Sequence, residues 1–242
     1  MKSFIEIYKA HFKVFLRNKK EIFWNFILPI GVIFLLDFIL RGEKHNIRFV
    51  YIFPGILAAA LMQLGVGGGL KFSSLRERNI IKGFSIIPFS RIKILNGGIL
   101  LRIFMGLIQG VLIILLGIII FGINLEGNLI QIFLIIFLGL LTFLSMGYML
   151  IGLVKSRERG RRLAQIVQLT MIFLSGIFFP VAIMPDFIKL AARILPLTYL
   201  VDSLREIIVG IPGYFPLFIN ILILIFFLIF TFIFSIKFWS WE

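Results

Sequence analysis

The chain has no cysteine and only two histidines among its 242 residues. Disulfides and thiolate-bound metals are therefore excluded. Acids are scarce too, with 11 Asp and Glu against 25 Lys and Arg. No G-x-x-x-x-G-K-[ST] occurs anywhere in the chain, so it carries no phosphate-cradling loop of that kind. What is present is apolar: hydrophobic residues make up 60% of the chain, against roughly 45–50% in a soluble domain. The fold expected is all-α, a polytopic membrane protein with one transmembrane domain over residues 1–242.

A hydrocarbon layer about 30 Å thick takes about 20 helical residues. Six spans are expected on that basis, at 22–40, 49–70, 94–123, 129–154, 163–179 and 215–236. Basic residues fall in clusters between these runs, unlike the hydrated basic face of a nucleic-acid binder, and no nucleic-acid partner is expected. With the N-terminus in the cytoplasm, eighteen Lys and Arg belong to inner segments and six to outer ones. That excess predicts a multi-pass protein of the cell membrane with both termini cytoplasmic.

The first twenty residues lack a continuous apolar core, so no cleavable leader is expected. Lys2, Glu6, Lys9, Lys13, Arg17 and Lys20 recur opposite Phe4, Ile5, Tyr8, Phe12, Phe15 and Leu16. Residues 1–20 are thus predicted to form an amphipathic helix in the headgroup plane. It serves either as a basic anchor or as a docking surface, since the pattern is the same for both. The basic run from Lys155 to Arg162 reads as a topology anchor touching anionic lipid.

Few ionisable residues enter the spans. Asp37 and Arg102 lie near span ends and are expected to snorkel to the interface, while His11 and His45 fall on opposite sides as solvated groups. Gly65, Gly67, Gly68 and Gly69 read as close helix packing or as a flexible span end. In the fifth span, spacing puts Gln165, Gln168 and Ser175 near one face, with Thr170 beside them. These groups either bond helices within one subunit or line a dimer interface.

Residues 71–93 have room for a short helix at 74–81 ending near Gly83, then a turn at Pro88. Residues 175–210 are too polar to cross a bilayer, yet they sit between apolar runs. Two short amphipathic pieces are set off there by Pro180, Pro185, Pro196 and Pro212. Non-spanning backbone beside a membrane persists only where protein or water satisfies it, which suggests a covered cavity or a gate.

Three stretches together resemble the ABC type-2 transporter permease family. The first is PGILAAALMQLGVGGG at 54–69. The second is the following loop, with Arg76-Glu77-Arg78, Gly83 and Pro88-Phe89-Ser90, a pattern from which Asn79 and Ile87 depart. The third is the late segment, with Ser175-Gly176, Pro180, Pro185, Pro196-Leu197-Thr198-Tyr199 and Arg205.

The resemblance implies the membrane subunit of an ABC exporter, with two re-entrant outer helices at 180–212. It assigns coupling to an ATPase to Arg76, Glu77, Arg78, Gly83 and Pro88. The translocation pathway falls to Gln165, Gln168, Thr170 and Ser175, and the outer gate to Pro180, Pro185, Pro196, Tyr199 and Arg205. The partners implied are two copies of an ABC ATPase that binds ATP and Mg, a second permease subunit in a homodimer, and membrane lipids. This chain is expected to hold no cofactor, metal or catalytic residue of its own. Its cargo is expected to be amphipathic: lipid-like, a drug or a lipid-linked glycan.

Two rivals make different demands on the sequence. A membrane-embedded lipid-modifying enzyme requires carboxylates or histidines gathered at one interface. An ion-driven secondary transporter requires an intramembrane acid or an inverted repeat. No such cluster or repeat is evident, and Asp37 is isolated.

Overall fold

The computed structural model describes residues 11–40, 45–77, 91–154 and 156–237, with the backbone alone at 45–47, 70–77, 91–96 and 157. The described residues are helical and contain no strand. Residues 11–17 are helical and precede α1 (Lys19–Ile39), α2 (His45–Glu77), α3 (Arg91–Ile119) and α4 (Leu129–Gly152). There follow α5 (Arg157–Leu174), a 3₁₀ turn at Val181–Ile183, α6 (Asp186–Ile194), α7 (Pro196–Val209) and α8 (Leu217–Lys237).

Among the described residues, five helices are long and apolar enough to cross a membrane: α1, α2 from Arg48 to Gly69, α3 from Gly97 to Ile119, α4 and α8. The sixth expected span, 163–179, is not among them. Its helix, α5, begins with Arg157, Glu158, Arg159, Arg161 and Arg162 and stops at Leu174. That leaves roughly 12 residues beyond the charged turn, about 18 Å of rise, against a layer of about 30 Å. The expected cytoplasmic connection at 71–93 also differs, because 71–77 continue α2 without a break. Residues 78–90 lie outside the described residues.

The second helix is the hub of the bundle. It packs against α4, α7, α3, α5 and α1, and 78% of its spanning window is buried against 17% of that in α8. Glycines permit the tightest of these crossings. A Cβ at Gly65 would stand 2.8 Å from Phe143 Cβ, one at Gly147 would stand 2.6 Å from the Val66 carbonyl, and one at Gly69 would strike the Gly147 carbonyl. The glycine run from 65 to 69 therefore works as packing surface, as its small residues imply. On the other side of α4, Ser145 Oγ meets Thr231 Oγ1 of α8 at 2.6 Å, a polar contact inside an otherwise apolar interface.

Span α1 departs from α-helical geometry, and Pro29 supplies the reason. Proline has no N–H to donate, and its ring crowds the carbonyl four residues back, which here belongs to Asn25. The helix widens into a π-turn at Phe23–Ile27, where Leu28 N–H reaches Phe23 O. Neighbouring spans supply donors to the carbonyls exposed by this widening. Gln63 Nε2 of α2 donates to Trp24 O at 3.3 Å, and Gln109 Nε2 of α3 donates to Asn25 O.

Candidate functional site

At the site expected to form the gate, the late segment folds back on itself. Ser175 caps α5, and Gly176 follows with φ +76°, a conformation that favours glycine. Pro180 precedes the 3₁₀ turn and Pro185 precedes α6, each with an extended ψ. Pro196 opens α7, where its missing N–H costs nothing. The next residues close the preceding helix: Thr198 Oγ1 donates to Ala192 O at 2.7 Å, and Tyr199 Oη donates to Arg193 O at 2.5 Å. The Tyr199 ring then stacks on Phe215 with centroids 5.4 Å apart.

Helix α7 is buried along nearly its whole length, and it carries a charge pair into the bundle. Arg205 is 2% exposed and Asp202 is 1% exposed. Arg205 Nη1 lies 3.3 Å from Asp202 Oδ1, Nη2 donates to Gly176 O at 2.8 Å, and Nε donates to Tyr51 O of α2 at 3.2 Å. The guanidinium also sits 3.7 Å from the centroid of the Tyr51 ring, within range for a cation–π contact. The other Asp202 oxygen accepts the Tyr214 N–H at 2.8 Å. One arginine thus ties together the end of α5, the Tyr51 end of α2 and α7, while its partner acid ties in the approach to α8. Burial pushes the Asp202 carboxyl above its ordinary value, opposed by the Tyr214 amide and Arg205. Burial likewise lowers the Arg205 guanidinium.

Sequence reading placed Arg205 here but missed Asp202. The signal was available: Asp202 and Arg205 are three residues apart on a helix, a spacing at which opposite charges meet.

The expected pathway residues differ in exposure. Gln165 and Thr170 are exposed on α5, Gln168 is half-buried, and Ser175 is fully buried at the helix end. Of the expected coupling residues, Arg76 and Glu77 form the last turn of α2. Arg78, Gly83 and Pro88 lie outside the described residues.

A second polar cluster was not anticipated, and it overturns the expectation that Arg102 snorkels. Arg102 is 8% exposed. Its Nη2 bonds Glu21 Oε1 at 2.6 Å and its Nη1 reaches Leu64 O at 3.4 Å. Asn25 Nδ2 donates to Glu21 O at 2.8 Å, which joins this pair to the π-turn of α1. Asp37 is buried as well, contrary to the same expectation. A long side chain near a span end can reach water, but here Glu21 of α1 supplies a partner acid to Arg102 of α3. Sequence gave no pairing signal, because Glu21 and Arg102 are 81 residues apart.

The chain has relatives among membrane transport proteins. It is 26% identical over 178 residues to the probable multidrug ABC transporter permease YbhS of Escherichia coli strain K12, and likewise to that of strain O157:H7, covering 72% of this chain. It spans about half the length of these curated relatives, 47%. The ABC-2 type transporter family matches residues 2–209. A bundle of apolar spans, with a short-helix segment folded between α5 and α8, therefore belongs to the ABC-2 type transporter family.

Proposed function

We propose that the chain is the membrane subunit of an ATP-driven exporter that moves an amphipathic substrate outward, acting as one of two permease subunits above two ATPase subunits. The observation that carries this reading is the continuity of α2. Its 33 residues give a rod about 50 Å long. Near one end Tyr51 contacts Arg205, and at the other end are Arg76 and Glu77. A push at Glu77 would thus be carried along one continuous helix toward the outer segment, with Pro54 interrupting its hydrogen-bond ladder only near the Tyr51 end. Rigid elements with two discrete packings are the physical means by which distant sites become coupled.

On this reading the buried Arg205 contacts hold α7 closed over the exit between transport events. Gln165, Gln168 and Thr170 remain the proposed lining on α5, and ATP with Mg is bound by the partner. The apolar side chains exposed on α6, Phe187, Leu190 and Ile194, favour release of a lipid-like or hydrophobic drug cargo at the outer leaflet. The curated relatives' designation as multidrug permeases is in keeping with that substrate class.

The test is to express the chain with an ABC ATPase encoded beside it, purify the assembly and measure substrate-stimulated ATP hydrolysis. Glu77→Ala is expected to lower stimulated hydrolysis several-fold while leaving assembly intact. Transport that continues without ATP, or equal loss of assembly and hydrolysis in the variant, overturns the reading.

A further inference from the structure

Where the surface helix meets the first span, the chain makes an elbow. Residues 11–17 are helical, Asn18 leaves helical geometry at φ −89° and ψ 78°, and α1 begins at Lys19. The Asn18 side chain fixes the corner by accepting the Glu21 N–H at 3.3 Å and donating to the Glu21 carboxylate at 3.0 Å. Beside the corner lies a groove of about 490 Å³ lined by Lys19, Lys20, Ile22, Phe23, Trp24 and Ile27. Both lysines are exposed, and Phe23, Trp24 and Ile27 are each about half exposed.

Two properties make this groove more than an apolar stretch of span. Its lining is mixed in kind, with the two exposed lysines Lys19 and Lys20 beside aromatic and aliphatic side chains. The one acid in the same turn, Glu21, is turned inward onto Arg102 at 2.6 Å. It therefore does not oppose an anion at the lysines. Lys13 and Arg17, exposed on the preceding turns, add charge of the same sign.

We propose that this groove is a binding site for an anionic phospholipid, with Lys19 and Lys20 holding the phosphate and Phe23, Trp24 and Ile27 receiving the acyl chains. Four of the six lining residues are apolar, so the occupant is a bilayer lipid and not a free phosphate ion. A zwitterionic lipid offers the same chains without net charge, so selection rests on the lysines. The occupied site braces the elbow one turn before the π-turn of α1. The proposal does not depend on the transport reading, and neither does its test.

Trp24 reports on the site directly. The chain has three tryptophans, and Trp239→Phe with Trp241→Phe leaves Trp24 as the single fluorophore. The full-length variant is reconstituted in phosphatidylcholine vesicles containing an equal minor fraction of either brominated phosphatidylglycerol or brominated phosphatidylcholine, since bromine quenches indole on contact. Quenching is expected to show a preference for the anionic lipid of about threefold or more, as attraction by two surface lysines implies. The preference should shrink in high salt and fall to parity in Lys19→Gln/Lys20→Gln. In Lys13→Gln/Arg17→Gln most of it should remain. Equal quenching by the two lipids overturns the proposal, as does a preference that survives loss of Lys19 and Lys20. So does a preference lost equally in both double variants, which would assign it to general surface charge.

Discussion

Asp202 and Arg205 stand one helical turn apart inside α7, and their burial sets what substitution does. Removing one partner leaves an uncompensated buried charge, at a cost of about 3–5 kcal/mol. Arg205→Met is expected to fall in that range, measured by reversible denaturation in mixed micelles. The double variant Asp202→Leu/Arg205→Met should cost less than the sum of its singles, with a coupling of about 0.5–3 kcal/mol. Acid titration gives an independent check. Folding raises the Asp202 pKa above its ordinary 3.8, so the folded state holds the proton more tightly than the unfolded chain. The stability contributed by this carboxyl is complete below about pH 3.8 and is lost as pH rises through the folded pKa. Relative to Asp202→Asn, the native chain should therefore lose unfolding free energy as pH rises from about 4, then run parallel to it once Asp202 is ionised in both states. Of the two charges, only Arg205 was singled out in the sequence as a site residue. What its side chain would touch depended on Tyr51 and Gly176, which come from two other elements.

Among the elements, α2 and α4 show how little room the fold leaves at some positions and how much at others. Gly147→Ala places a methyl group 2.6 Å from the Val66 carbonyl, and such overpacking typically costs about 1–3 kcal/mol. Gly67→Ala meets only Arg102 Nη1, at 3.7 Å, an ordinary contact, and should be tolerated. The pair of variants, compared by thermal unfolding in detergent, separates packing from any general effect of losing glycine. Apolar run length was enough to locate α1, α4 and α8 within a few residues, because a continuous apolar run of that length has few other solutions in lipid. The same rule set the end of α5 too far along: it ran the fifth stretch to 179, whereas the helix stops at Leu174 and the turn after it is held by Arg205, thirty residues later. The π-turn of α1 was readable in part, since Pro29 inside a helix forecasts a distortion, but the donors Gln63 and Gln109 that satisfy it come from α2 and α3.

For the whole molecule, orientation in the membrane is the property on which the functional reading most depends. The absence of cysteine makes it directly measurable, because any introduced thiol is the single labelling site. Asp186→Cys on α6 is expected to react with a membrane-impermeant maleimide on intact cells, whereas Glu158→Cys at the start of α5 should react only after permeabilisation. The reverse pattern would invert the proposed topology and the proposed direction of transport with it. Composition alone determined that the chain is a bundle of apolar helices, since 60% hydrophobic residues in runs of this length cannot be hidden in a soluble core of this size. Tertiary structure alone decided where its charges go. The pairing of Glu21 with Arg102 and the burial of Asp202 with Arg205 in contact with Tyr51 and Gly176 are set by which helices lie side by side, and for Glu21–Arg102 and for the Tyr51 and Gly176 contacts that choice depends on packing between residues far apart in the chain.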